Sequence, residues 1–118
     1  MRHLVRNKRL NRDSPNFRAL MRNMATSLIL HEKIKTTEAK AKRVKSYVER
    51  IITGSKKKVP LANIYRSLDT SLADAVASRK LVEDLRVRYK DRNSGYLRIT
   101  HLGNRAGDAA EMVQISFV

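Results

Sequence analysis

The sequence predicts an α+β fold in which about four helices pack on one face of a small three-stranded sheet. Stretches with apolar residues three or four positions apart, typical of amphipathic helices, alternate with shorter stretches of strand-like alternation. The chain has 118 residues, of which 42% are hydrophobic, enough for one core. No internal repeat or linker divides it, so we expect a basic extended arm at residues 1–13 and a single α+β domain at residues 14–118.

The chain begins with the basic segment MRHLVRNKRLNR, which contains five Lys and Arg residues and no acidic residue. Ser14 and Pro15 start the first predicted helix, because a serine hydroxyl caps free amides and proline fits the first helical position. This helix is expected to reach about Leu30. Its apolar face carries residues at helical spacing, namely Phe17, Leu20, Met21, Met24 and Leu28.

The next segment, EKIKTT, predicts a short strand at residues 32–37, since Ile34 alternates with two lysines and threonines follow. Thr37 is expected to cap a second helix, which Gly54 ends. A basic loop, SKKK, follows at residues 55–58. It is either a solvated turn or a contact with an anion.

Two more helices and two more strands complete the predicted fold. Pro60 starts a short helix, and Ser71 with Asp74 forms a capping box for a helix that reaches about Val87. The apolar side of that second helix is expected to carry, at less regular spacing than in the first helix, Leu72, Val76, Leu81, Val82 and Leu85. Alternation then predicts strands at residues 97–102 and 113–117, which are expected to pair antiparallel. A glycine-containing loop at residues 103–110 joins them.

The charge of the chain indicates an anionic partner. Residues 1–60 carry 17 Lys and Arg against 4 acidic residues (+13), and residues 61–118 carry 9 against 7 (+2), which together give +15. A surface this cationic repels itself unless anions neutralise it. The partner is therefore expected to bind mainly to the N-terminal half.

Composition also bounds the cellular location. Cysteine is absent, which excludes disulfides and thiolate metal sites. No apolar run approaches the ~18 residues of a membrane span, and no apolar stretch of a secretory signal follows the first charges. The N-terminal segment is rich in arginine, as mitochondrial presequences are, but presequences are also rich in serine and no serine precedes Ser14. A bacterial cytoplasmic location is favoured over a mitochondrial one.

The sequence offers little that could catalyse a reaction. The three histidines, His3, His31 and His101, show no metal-ligand spacing, and no phosphate-binding glycine loop precedes a helix. We expect each histidine to have a structural or RNA-stacking role. No enzymatic activity, cofactor or metal is predicted.

Binding to folded RNA fits the distribution of basic residues best. A reader of duplex DNA would need a recognition helix, whereas these residues spread over an arm, two helices and a loop. The aromatic platform of single-strand readers is also missing, which favours recognition of shape and phosphates. An architectural DNA-binding protein is the alternative.

Specific motifs narrow this further. The stretches MRHLVRNKRLNR, RNMATSLILHEKIKTTEAKAK, GYLRI and AGDAAEM resemble, in order and spacing, the bacterial large-subunit ribosomal protein seventeen family over essentially the whole chain. The resemblance implies helices on one face of a small sheet, binding to the large ribosomal RNA and neighbouring ribosomal proteins, and a place near the exit of the nascent-peptide tunnel.

We therefore predict a structural constituent of the bacterial large ribosomal subunit, located in the cytoplasm, with no membrane or small-molecule partner. It is expected to stabilise the large ribosomal RNA by neutralising phosphates. The residues expected to contact RNA are Arg2, His3, Arg6, Lys8, Arg9, Arg12, Arg18, Arg22, His31, Lys33, Lys35, Lys40, Lys42, Lys45, Arg92 and Arg98.

Overall fold

The computed structural model describes residue 10 and residues 12–118. The predicted arm therefore lies almost wholly outside the described residues, together with five of the predicted RNA contacts, Arg2, His3, Arg6, Lys8 and Arg9. The elements are, in chain order, α1 (Ser14–His31), β1 (Lys33–Thr37), α2 (Glu38–Ser55), α3 (Leu61–Ser71), α4 (Ala75–Lys80), a π-helical turn (Leu81–Leu85), α5 (Arg86–Arg88), β2 (Leu97–Asn104) and β3 (Glu111–Phe117).

The strands of the described region form one antiparallel three-stranded sheet in the order β1-β3-β2. The last strand of the chain thus lies in the centre, with Ile115 opposite both Ile34 and Ile99. The predicted antiparallel pairing of the two C-terminal strands is confirmed. A bulge between His101 and Gly103 interrupts it, and Gly103 has a φ of 110°, a conformation that glycine adopts without strain.

The helices cover one face of the sheet, as predicted. α2 lies against the strands, and α1 and α3 pack on α2. The core between these layers is mostly aliphatic, but its largest fully buried side chain is Tyr96. Its hydroxyl donates to the carbonyl of Asn93 at 3.0 Å, so the buried ring keeps its polar end satisfied.

Three predicted helix boundaries were wrong in detail. Asp13, not Ser14, caps α1, because its carboxylate accepts from the amide of Asn16 at 3.1 Å. Likewise Asp74 alone caps α4 by accepting from the amide of Val76 at 2.9 Å, while Ser71 is the last residue of α3. α2 continues through Gly54 to Ser55, since a single glycine weakens a helix without ending it.

The helical segment at residues 75–88 contains a π-helical turn, which explains why its apolar spacing was irregular in the sequence. Leu81, Val82 and Leu85 are all buried within this turn. Val76, which the predicted helix placed on its apolar side, is instead 58% exposed. The extra residue in the turn rotates the following residues relative to an ideal α-helix, so a strict 3.6-residue pattern fails across it.

The residue that caps the C-terminus of α1 is Glu32, whose backbone is left-handed with a φ of 63°. Its amide donates to the carbonyl of Leu28 at 2.8 Å, and its carboxylate accepts from Arg88 at 2.5 Å. Lys80 lies 3.7 Å from the same carboxylate. This cluster connects the end of α1 to the segment at residues 75–88.

Among the described helices, none is both long and apolar enough to cross a bilayer.

Candidate nucleic-acid interface

The sheet has one face that the helices leave uncovered. Residues that alternate with the buried ones point away from the helices, because successive side chains of a strand lie on opposite faces. We call this surface the open face. It consists of Lys33, Lys35 and Thr37 of β1, Met112, Gln114 and Ser116 of β3, and Arg98 and Thr100 of β2.

The register places three predicted RNA contacts close together on the open face. Lys33 and Arg98 both pair with Ser116, so they flank it in a single row across the sheet. Lys35 lies two residues further along β1, opposite Gln114. All three cations are exposed, and none of the outward-facing residues of the described strands is acidic. The end of the open face that these cations occupy is therefore cationic, with the polar residues Gln114 and Ser116 on its central strand and Met112 at the opposite end.

The two predicted contacts on α1 differ in their surroundings. Arg18 is exposed. Arg22 is half-buried and its guanidinium donates to the carbonyl of Leu72 at 3.0 Å, with the carbonyl of Asp69 at 3.4 Å. Arg22 thus binds the end of α3, although the sequence predicts the same role for both arginines.

The three predicted contacts on α2 do not share a face. At ~100° per residue, Lys40 and Lys45 project about 140° apart around the helix. Lys42 is exposed and lies 3.0 Å from the carboxylate of Glu38. This ion pair lowers the pKa of Glu38. The α2 lysines therefore form a dispersed positive surface.

The remaining described candidates lie at separate places. Arg12 donates to the carbonyl of Leu10 at 3.2 Å, and His31 is an exposed residue at the end of α1. Arg92 donates to the carbonyl of Ser94 at 3.2 Å. The structure thus brings together Lys33, Lys35 and Arg98 and leaves the other candidates apart.

The basic loop after α2 divides into two parts. Lys56 turns inward, where it donates to the carbonyls of Tyr89, at 3.2 Å, and Arg92, and its ammonium lies 4.8 Å from the centre of the Tyr96 ring. Lys57 and Lys58 are exposed. One lysine of the loop therefore stabilises the fold, and two remain available to solvent or an anion.

His101 lies in a cluster that its sequence position does not indicate. Its Nδ1 is 2.8 Å from a carboxylate oxygen of Glu111, and these two residues and Glu38 place their potential ligand atoms within 4.8 Å of one another. Within the described part of the chain, this is the one His and carboxylate cluster that could hold a metal ion. Both side chains are exposed, to 59% for His101 and 50% for Glu111. This close approach joins His101 of β2 to Glu111 of β3.

The sequence-based list omits the polar residues between the cations. Gln114 and Ser116 lie on the central strand and Thr100 on β2, all on the open face. The alternation in β3 is sufficient to predict that Gln114 and Ser116 lie on the face away from Val113 and Ile115. Uncharged polar side chains form no charge pattern, so the sequence alone does not single them out.

Comparison with known proteins identifies the family. The model of a family described as ribosomal protein L17 matches residues 20–118. The chain belongs to the ribosomal protein L17 family. It is similar to large ribosomal subunit protein bL17 of Rickettsia typhi, 43% identical over 118 residues, and of Rickettsia canadensis, 45% identical, in each case over the whole chain and 85% of the relative. The bL17 protein of Orientia tsutsugamushi is 42% identical over the whole chain and 80% of its own length.

Membership of the ribosomal protein L17 family confirms the family resemblance in the motifs. It makes the chain a structural constituent of the large ribosomal subunit rather than an enzyme, and part of the bacterial ribosome in the cytoplasm.

Proposed function

We propose that this large-subunit ribosomal protein binds the large ribosomal RNA by neutralising its phosphates, at a site near the exit of the nascent-peptide tunnel and beside other ribosomal proteins. The observation that supports RNA binding most strongly is the open face, where Lys33, Lys35 and Arg98 lie together with no acidic neighbour on the described strands. The basic N-terminal segment and the exposed cations of α1 and α2 add to it.

Phosphate neutralisation follows from the chemistry of these side chains. Guanidinium groups bind phosphate oxygens with two hydrogen bonds, and ammonium groups act as point charges. Each contact releases counterions from the RNA, which favours binding. The hydrophobic core holds the strands of the open face in a fixed register, so the backbone that carries the cations is ordered before RNA binds.

The contribution of the N-terminal segment is tested by removing it. Deleting residues 1–12 is expected to lower the affinity for a large-subunit RNA fragment, because five of the cations are lost. Thermal unfolding is expected to change little, since the segment supplies few apolar residues. A large loss of stability would show that the segment packs on the core instead.

Competition between nucleic acids tests the class of partner. The full-length protein is expected to prefer folded large-subunit RNA to a DNA duplex of equal length at physiological salt. Equal affinity for the two would favour an architectural DNA-binding protein. Crosslinking on intact large subunits, read out by sequencing RNA and identifying proteins, tests the place near the tunnel exit.

A further inference from the structure

The open face of the sheet has a composition that points to one form of RNA. We propose that it docks on the minor groove of a double-helical RNA segment, with its central polar residues on ribose hydroxyls and its flanking cations on phosphates. The inference rests on the proposed function, since it names the RNA structure that this surface would recognise.

The central strand supplies the groups that ribose requires. Gln114 and Ser116 lie on the open face of β3, and Thr100 faces outward beside Gln114 on β2. An amide or a hydroxyl can both donate and accept a hydrogen bond, which matches the 2′-hydroxyl of RNA. In an A-form helix these hydroxyls line a wide and shallow minor groove that a flat surface can approach.

The cations lie on both sides of this polar centre. Lys33 and Arg98 are on the two outer strands of one row, separated by Ser116, so their Cα atoms are about 10 Å apart at the usual strand spacing. Lys35 is about 7 Å further along β1 at the usual rise per residue. Because a minor groove is bordered by a sugar-phosphate backbone on each side, cations on both edges fit it better than a single central patch.

The same surface is poorly suited to single strands and to the minor groove of DNA. Unstacked bases are bound by aromatic side chains, and the outward-facing residues of the described strands include none. Tyr89 and Tyr96 are buried on the other side of the sheet. The minor groove of B-form DNA is only about 6 Å wide and lacks the 2′-hydroxyl, so a flat sheet has little to contact there.

A charge-matched pair of variants tests the phosphate contacts. In the full-length protein, Lys33→Gln, Lys35→Gln and Arg98→Gln together remove three cations from the open face. The control, Arg66→Gln, Arg79→Gln and Lys90→Gln, removes three exposed cations from the helical side of the molecule and leaves the same net charge. The probe is an RNA duplex of about 16 base pairs, with its separated strand and a DNA duplex of the same sequence for comparison.

We expect the open-face variant to bind the RNA duplex at least tenfold more weakly than the control does. The slope of its log affinity against log salt should also be shallower by about 2–3, because each phosphate contact contributes about 0.9 to that slope. Equal losses in the two variants, or binding of the single strand as tight as that of the duplex, would overturn the proposal.

A second variant tests the ribose contacts. Gln114→Ala with Ser116→Ala is expected to reduce the preference for RNA duplex over DNA duplex at least threefold, with an unchanged salt slope. An unchanged preference would contradict the assignment of these residues. Parallel binding to a large-subunit RNA fragment separates the two proposals: if the wild type prefers this fragment to DNA while the open-face variant matches the control, the minor-groove inference fails and the proposed function stands.

Discussion

Arg22 and Arg18 test whether the structure distinguishes an arginine that stabilises the fold from one that is available to bind RNA. The sequence predicts RNA contact for both, but only Arg22 donates to the carbonyls at the end of α3. Replacing Arg22 with Ala removes one well-formed charge-assisted hydrogen bond, at 3.0 Å to Leu72, and one marginal bond at 3.4 Å. Such bonds contribute about 1.5–3 kcal/mol when buried. Because this one is half-exposed, we expect a loss of about 1–2 kcal/mol in the free energy of unfolding.

This loss translates into a measurable change in melting temperature. At about 2.1 cal/mol/K per residue, a chain of 118 residues has an unfolding entropy near 0.25 kcal/mol/K, so Tm should fall by about 4–8 °C. Arg18→Ala, on the exposed face one turn earlier, is the matched control and should change the free energy by less than about 0.5 kcal/mol.

The assay is thermal unfolding of both variants at low salt, monitored by circular dichroism. RNA affinity is measured at a temperature well below both unfolding midpoints. If Arg22→Ala melts within about 1 °C of the wild type, the hydrogen bonds to α3 contribute nothing and the reasoning is refuted. An equal fall in both variants would refute it as well, since it would indicate a general effect of charge.

Two further predictions concern the contacts around α1. Thr26, which is 8% exposed, accepts from the amide of Ala73 at 2.9 Å; Thr26→Val leaves this amide without its partner, so we expect a loss of about 1–2 kcal/mol in chemical denaturation, and no loss would contradict the role of this bond. The hydrogen bond from Arg88, with the nearby charge of Lys80, lowers the pKa of Glu32 below its usual value of 4.5. The stabilisation by Glu32 is therefore present above about pH 4.5 and is lost as pH falls through the lowered pKa. The wild type should exceed Glu32→Gln in Tm by at most about 4 °C at pH 7, because the pair is partly exposed. That difference should shrink toward pH 3, and a difference independent of pH would exclude the ion pair as its cause.

Much of the fold follows from local patterns. The apolar stripe from Phe17 to Leu28 predicts α1, and alternation predicts both C-terminal strands. Details that depend on one atom or one extra residue could not be predicted from these patterns. Asp13 and Ser14 are both good caps, and only the backbone geometry decides that Asp13 accepts the bond. The π-helical turn inserts a residue that no regular period describes.

The candidate interface depends on contacts between distant parts of the chain. The order β1-β3-β2 places Lys33 and Arg98 in one row, although they are 65 residues apart in the sequence. The role of Arg22 depends on where α3 ends, about 50 residues later. Local propensity contains no information about either arrangement, because both result from packing between elements.

The salt dependence of RNA binding tests phosphate neutralisation most directly. The full-length protein is titrated against a large-subunit RNA fragment between 50 and 200 mM salt. Engagement of roughly 6–10 phosphates predicts that affinity falls by about 10³–10⁵ over this range. An affinity that changes by less than about threefold would contradict it.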